Sequence, residues 1–246
     1  MHVRPVLVPG DPPELRLVDQ PEPCPYLPDR VARRPLRLPI STLEPAQLEA
    51  RLDAGDRRYG RLLYTQHCPE CRACEPIRVD VNAFVLNATQ RRVLRRGDAY
   101  FTQEQGPTAL DETRLALFNL HEEGRDLRRR EEPMTERGYA QFLVESCTDT
   151  FELRYLHDGA LAMLSVVDRS AKALSAVYTY YDPSLARLSP GVYAILKQLE
   201  LCRTLGLPWL YLGLYIEENA SMAYKGAYRP HERRLGGVWQ RFEKGD

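Results

Sequence analysis

Residues Phe151 to Tyr181 read FELRYLHDGALAMLSVVDRSAKALSAVYTYY, and this stretch decides the fold. Strand-forming residues run from Phe151 to Leu156, from Ala160 to Val167 and from Ala173 to Tyr181, interrupted by His157-Asp158-Gly159 and Asp168-Arg169-Ser170. Short breaks of Asp, Gly and Ser close tight turns between antiparallel strands, so the spacing predicts a three-strand meander. Tyr178, Tyr180 and Tyr181 alternate sides along its last strand, which sends at least one of them into the core.

Downstream, Asp182-Pro183 ends the meander. Ser189 reads as a cap and Pro190 as the first position of a helix that turns Val192, Ile195, Leu196 and Leu199 inward and closes at Gly206. Pro208 stops that helix, and Trp209 to Leu214 supplies another strand. Upstream, Thr108 to Glu123 predicts a helix with Leu110, Leu117, Phe118 and Leu120 on its apolar stripe, Asp111 and Glu112 near the positive end of its dipole, and Gly124 at its close. Arg125 to Glu132 reads as a solvated link in which Asp126, Glu131 and Glu132 offset Arg128 to Arg130. Thr135 then caps a helix carrying Tyr139, Phe142 and Leu143. Helices, a meander, a helix and a strand are the order of a GNAT-like acyltransferase. The expected class is α+β: a central, mostly antiparallel sheet flanked by helices over residues 106–246, with a smaller Cys-containing region over residues 1–105.

In that N-terminal region Thr42 is placed to cap a helix with Leu43, Leu48 and Leu52 at helical spacing and Gly55 past its end. Tyr59 to Tyr64 alternates weakly, and Ile77, Val79 and Val81 alternate clearly, so the cluster Cys68-Pro69-Glu70-Cys71-Arg72-Ala73-Cys74 falls between two strands. Three thiols two residues apart can aim several sulfurs at one point, a spacing that suits zinc or an iron-sulfur cluster, with Cys24 as the fourth ligand or His67 in its place. Free thiols packing a compact turn are the alternative, and Cys147 and Cys202 read as small buried apolar groups. From Asn87 or Thr89 a helix carries Arg91, Arg92, Arg95 and Arg96 on an exposed face, packs Val93 and Leu94 inward, and ends at Gly97. Guanidinium groups at such positions can follow a phosphate backbone, although most charge runs are merely solvated faces.

Composition narrows the partners little. In 246 residues, 34 Lys plus Arg balance 34 Asp plus Glu, and the 43% apolar content supports a real core. No run approaches the roughly 20 apolar residues that cross a bilayer. The Pro-rich start lacks the apolar region of a secretory leader, so a cytoplasmic protein without a disulfide framework is expected.

The C-terminal stretch Tyr211 to Glu232, YLGLYIEENASMAYKGAYRPHE, runs from a strand into a segment crowded with Tyr215, Tyr224, Lys225, Tyr228 and Arg229. Turn geometry needs Gly, Pro, Asn and Ser, not this set, so the segment reads as a binding site. The Ser189-Pro190-Gly191 helix start can offer free backbone N–H groups to a phosphate or an oxyanion.

Cys24-Pro25-Tyr26-Leu27-Pro28, the CPECRACEPIRV stretch, Gln90-Arg91-Arg92, Leu174 to Tyr178, Gly191 to Leu196 and YLGLYIEENASMAYKGAYRPHE together resemble the bacterial aminoacyl-tRNA-protein transferases over nearly the whole chain. The likeness is nearest to the aspartate/glutamate leucyltransferases, which are similar to the arginyl-tRNA-protein transferases. Two positions depart from the pattern: Leu214-Tyr215 stands where an aromatic pair is usual, and Pro190 stands within what is usually Ser-Leu-Gly. The resemblance implies transfer of leucine from charged tRNA to the α-amine of proteins beginning with Asp or Glu, marking them for the N-degron route, with no required cofactor. It implies a reacting centre at Tyr224 and Lys225, and substrate contacts from Tyr26, Arg78, Gln90, Arg91, Arg92, Tyr178 and Arg229, with Tyr26 stacking on a base of the tRNA end. The residues themselves leave three other readings open: arginine as the amino acid donated, a small-molecule N-acyltransferase, and a non-catalytic metal-containing RNA-binding module. Asp182 to Gly191 lacks the Gly-rich pyrophosphate loop that the second of these needs.

Overall fold

The computed structural model describes residues 5–128, 130–243 and 245; of the Arg128 to Arg130 run, Arg129 lies outside the described residues. Five short strands open the chain: β1 (Val6–Val8), β2 (Glu14–Val18), β3 (Pro21–Pro23), β4 (Val31–Arg33) and β5 (Leu36–Pro39). Helix α1 (Pro45–Asp53) follows, then the hairpin β6 (Arg57–Tyr59) and β7 (Leu62–Tyr64), then β8 (Glu75–Asp80), α2 (Ala88–Asp98) and β9 (Thr102–Pro107). Next come α3 (Glu112–Gly124), α4 (Glu136–Tyr139) running into a π-helical turn Ala140–Val144, and the meander β10 (Thr150–His157), β11 (Ala160–Arg169) and β12 (Ala173–Tyr181). The chain ends with α5 (Pro190–Thr204), β13 (Trp209–Tyr215), α6 (Ala220–Ala223), a 3-10 turn Tyr224–Ala227, β14 (His231–Leu235) and β15 (Val238–Phe242).

An eight-stranded sheet in the order β15-β14-β8-β13-β12-β11-β10-β9 organises the molecule, and a five-stranded sheet β1-β2-β5-β7-β6 stands beside it. Every neighbouring pair in the large sheet is antiparallel except β12 and β13, which α5 connects. Alternation along the strands divides the core between two faces. Leu174, Leu210, Leu212, Met163 and Leu153 face Val93 of α2 and Leu196 and Leu199 of α5. On the opposite face, Ala173 and Tyr211 meet Leu48 and Leu52 of α1 and Leu63 of β7, while Leu164, Val166 and Tyr180 meet Leu117 and Phe118 of α3 and Tyr139 of α4.

The meander agrees with its sequence pattern to within a residue or two. Several other expectations need correction. Helix α1 starts at Pro45 with Glu44 at its cap, not at Thr42, because the Gln47 side-chain oxygen accepts from the Glu44 N–H and completes a capping box. α3 starts at Glu112 with Asp111 as its cap, which leaves Leu110 ahead of the helix and 38% exposed; within it Leu120 is 47% exposed, and His121 and Glu122 join Leu117 and Phe118 on the buried side. His121 is held there by the backbone of Tyr181, 3.0 Å away, and its charge on the imidazole is disfavoured, first by burial. Gly97 does not end α2: a β-carbon there would lie 2.3 Å from the Tyr193 ring, so this glycine sits where α2 crosses α5 closely. Ser189 occupies the cap position of α5 without a side-chain hydrogen bond, its backbone left-handed at φ 55°. The division between residues 105 and 106 falls inside β9, and β8 pairs with both β13 and β14, so the N-terminal half supplies strands to the sheet of the C-terminal half.

Candidate active site

Strands β12 and β13 pair only through Ala173, Leu174 and Ser175 with Trp209, Leu210 and Tyr211, and then separate. Their diverging ends leave a wedge in the sheet. On the β13 side the pairing with β8 shifts register between Tyr211 and Gly213, and Gly213 takes φ +89°, a conformation that side chains resist. A β-carbon on Gly213 would lie 3.1 Å from Nη2 of Arg57 and 3.7 Å from Nζ of Lys225, so the missing side chain makes room for two cationic groups.

Lys225 arrives from the segment after β13. Asn219 accepts a hydrogen bond from the Ser221 N–H at the start of α6, and the 3-10 turn that follows carries Lys225 back under the strand. Its Nζ donates to the Leu214 carbonyl at 2.8 Å and lies 3.1 Å from Sδ of Met222. Burial, and then the nearby Arg57 guanidinium, bring its pKa down to about 7. Tyr224, next in the chain, is 48% exposed, with Nζ of Lys225 5.9 Å from its ring centre.

Arg57 comes from β6 in the small sheet. It is buried, its charge is disfavoured chiefly by burial, and Tyr64, Asp168, Tyr26 and Tyr211 surround it. Its neighbour Arg58, also buried, forms a 2.8 Å ion pair with Asp168, whose other oxygen accepts from Thr150 at 2.6 Å. Arg57 has no carboxylate within ion-pair distance among the described residues. A cavity of about 60 Å³ lies beside it, lined by Arg57, Arg58, Tyr64, Asp168, Ser175 and Val177 among others. Tyr26 closes this end: its carbonyl accepts from Asn219 Nδ2 at 2.8 Å, and burial, then the neighbouring Tyr64, holds its phenol protonated. The N-terminal segment and the segment after β13 are thus fastened together at the wedge.

The four cysteines meet next to Tyr26. Cys74 is pushed up to about 12 by burial and then by Cys68, Cys24 and Cys71, which places all four thiols in one neighbourhood; it too influences Tyr26. Cys68, Cys71 and Cys74 line a groove of about 500 Å³ together with Glu75 and Arg234. All six cysteines are free thiols, and among the described residues no group of three or more His, Cys, Asp or Glu side chains has the arrangement of a metal site. The thiols gather as the spacing suggests.

Other sequence candidates lie elsewhere. Arg78 is held between the rings of Trp209 and Trp239 at 4.1 and 4.2 Å, and its donors go to Glu232 at 2.7 Å, Asp53 at 2.9 Å and the Tyr211 hydroxyl at 2.9 Å. That guanidinium ties β8, β13 and β14 together, its charge already met by Glu232 and Asp53. Gln90 is buried in the capping box of α2, where it bonds the Asn87 N–H at 2.9 Å. Tyr178 packs against Phe118 and Phe142 at 5.6 and 5.4 Å, in the cluster under α3 and α4. Arg229 donates to the carbonyls of Gly226 and Glu243. Arg91 and Arg92 are exposed on α2, which packs on the face of β13 that bears Leu210 and Leu212, whereas Arg57 approaches on the side of Tyr211. Arg57 escaped the sequence reading because an arginine in a weakly alternating RRY strand carries no mark of burial. The only hint was that strand's position just before the cysteine cluster.

A mostly antiparallel sheet flanked by helices, with one splayed parallel pair and polar groups gathered at the splay, is the frame of a GNAT-like acyltransferase. Among solved structures, the C-terminal domain (DUF2156) of a protein assigned as a lysylphosphatidylglycerol synthetase from Agrobacterium fabrum superposes with a TM-score of 0.51 at 16% identity, covering 82% of this chain and 64% of that one. Family profiles described as "Arginine-tRNA-protein transferase, N terminus" and "Arginine-tRNA-protein transferase, C terminus" match residues 22–92 and 113–235, and the chain belongs to that family. The aspartate/glutamate leucyltransferase of Chromobacterium violaceum is 38% identical over 225 residues, covering 92% of this chain and 93% of its own. That of Thiobacillus denitrificans is 37% identical over 220 residues, covering 89% and 91%. No helix among the described residues is long and apolar enough to cross a membrane.

Proposed function

We propose that this chain moves leucine from leucyl-tRNA to the α-amine of proteins that begin with Asp or Glu. The observation that carries the reading is the likeness, over about nine-tenths of the chain, to relatives named aspartate/glutamate leucyltransferases. The cationic wedge supports it, since an acidic acceptor needs positive charge beside the reacting amine.

The chemistry asks little of a base. An α-amine has a reference pKa of about 7.7 to 8.0, so part of it is neutral near physiological pH. Its nitrogen attacks the ester carbonyl carbon, the C–N bond forms as the C–O bond to the tRNA ribose breaks, and the proton shed by the amine ends on the departing ribose oxygen. The protein's share is to hold ester and amine together, an effect worth up to roughly 7 to 11 kcal/mol when orientation is very good. Tyr224 and Lys225 border the reacting centre, Tyr26 lies against the end of the tRNA, and the exposed Arg91, Arg92, Arg95 and Arg96 of α2 follow its phosphates. The acceptors are N-degron substrates, and the reaction takes place in the cytoplasm without a cofactor.

Labelled Leu-tRNA or Arg-tRNA supplied with peptides starting in Asp, Glu, Lys or Ala tests the reading. Leucine on the Asp and Glu peptides alone is the expected result; arginine on them assigns the donor suggested by the family description, and no transfer to acidic starts ends the proposal.

A further inference from the structure

We infer that Arg57 and Lys225 form the subsite that reads the acceptor's side chain, closing on the carboxylate of an N-terminal Asp or Glu in the wedge between β12 and β13. The inference rests on the transferase reading above and adds to it the residue, Arg57, that sets acceptor specificity.

Two cations buried side by side are costly unless an anion joins them. The contrast within β6 is direct: Arg58 is buried with Asp168 as its partner, while Arg57, one residue earlier, is buried without one. The Asp168 carboxylate on the same cavity is already occupied by Arg58 and Thr150. Gly213 keeps the space between Arg57 and Lys225 open, and the register shift beside it turns the strand toward them. Lys225 donates to a carbonyl and not to an acid, so the two groups present positive charge to one point from two elements. A planar guanidinium matches a carboxylate bidentately, and the adjacent ammonium supplies a third donor. The cavity of about 60 Å³ beside Arg57, which Lys225 does not line and whose carboxylates Asp56 and Asp168 are paired with Arg37 and Arg58, has no room for a nucleotide, which favours a small group at the guanidinium. The α-amine of an Asp or Glu stands only a few bonds from its carboxylate, so anchoring the acid here sets the nucleophile next to Tyr224.

The test compares Asp- and Glu-started peptides with their neutral isosteres, Asn- and Gln-started peptides, as acceptors for wild type, Arg57→Gln and Arg57→Lys. Wild type prefers the acids. Arg57→Gln is expected to reduce that preference at least tenfold, chiefly through KM for the acidic acceptor, while KM for Leu-tRNA stays put and Arg57→Lys restores part of the preference. Equal losses on acidic and neutral acceptors would mean a structural role and overturn the inference, as would a rise in KM for Leu-tRNA with the acceptor preference intact, which would give the site to the donor. In each of these cases wild-type transfer to acidic starts still stands, so the two readings fail separately.

A measurement on the unmodified protein covers variants that do not fold. The lysines are Lys172, Lys197, Lys225 and Lys244, few enough to follow one by one by NMR of labelled side chains. The dipeptide Asp-Ala should move the Lys225 titration upward and Asn-Ala should not. Identical titrations with both dipeptides contradict the inference.

Discussion

Lys225 is buried beside Arg57, and burial first, then that guanidinium, brings its pKa down from 10.5 to about 7. The sign for stability follows. Between those two values the unfolded chain binds more protons at this position than the native one, so wild-type stability gains from rising pH there, and Lys225→Met lacks that gain. Lys225→Met is therefore expected to be more stable than wild type near pH 7, with the difference shrinking by roughly 2 to 3 kcal/mol by pH 9. Urea unfolding at both pH values checks this; a difference that stays constant or widens contradicts the burial of a depressed lysine. Lys225 was legible in the sequence because a cation between tyrosines stands out after a strand. Arg78 looked equally eligible, yet two tryptophan rings, two acids and a tyrosine hydroxyl claim it, and partners brought from 25 to 161 positions away leave no local trace.

Helix α2 and the splayed strand pair are the elements on which the proposed tRNA contacts and the proposed acceptor subsite stand. The exposed Arg91, Arg92, Arg95 and Arg96 share one side of α2, while Gln90, Val93 and Gly97 are buried on the other. Replacing all four arginines by Gln should raise KM for Leu-tRNA and flatten the dependence of log KM on log salt by about 0.7 to 0.9 for each phosphate contact removed. Salt titrations of wild type and variant measure this, and parallel slopes would detach α2 from the donor. Replacing Arg92 alone by Ala should weaken transfer in the same direction. The helix itself was readable from its Asn cap and its apolar positions. β9 was not: TQEQGP has no alternation, because it is an edge strand exposed along nearly its whole length and held by its backbone pairing with β10. The apolar stripe of α3 was half right for a related reason: the buried positions include His121 and Glu122, whose polarity is met by the Tyr181 backbone and Arg130.

At the level of the whole chain, the meander and the helix-strand unit after it were enough to identify the architecture, but not to divide it. β8 lies between β13 and β14 in the large sheet, and β9 closes its far edge, so residues of the N-terminal half complete a sheet begun by the C-terminal half. A fragment of residues 106–246 would leave the β13 edge unpaired and lose Ile77 and Val79 from the core, both fully buried. Such a fragment is expected to lack a cooperative melt by circular dichroism; a sharp transition would show that the C-terminal part folds alone. The same long-range construction hid the site. Arg57 and Gly213 are 156 positions apart in sequence and meet only because the small sheet docks on the splayed pair. The measurement that bears most directly on the account is a competition: Leu-tRNA and Arg-tRNA together, with Asp-started and Asn-started peptides together, and tandem mass spectra of the products. Leucine on the α-nitrogen of the Asp-started peptide, in large excess over every other product, is the predicted result. Unmodified peptides, or equal labelling of the Asp and Asn starts, would contradict it.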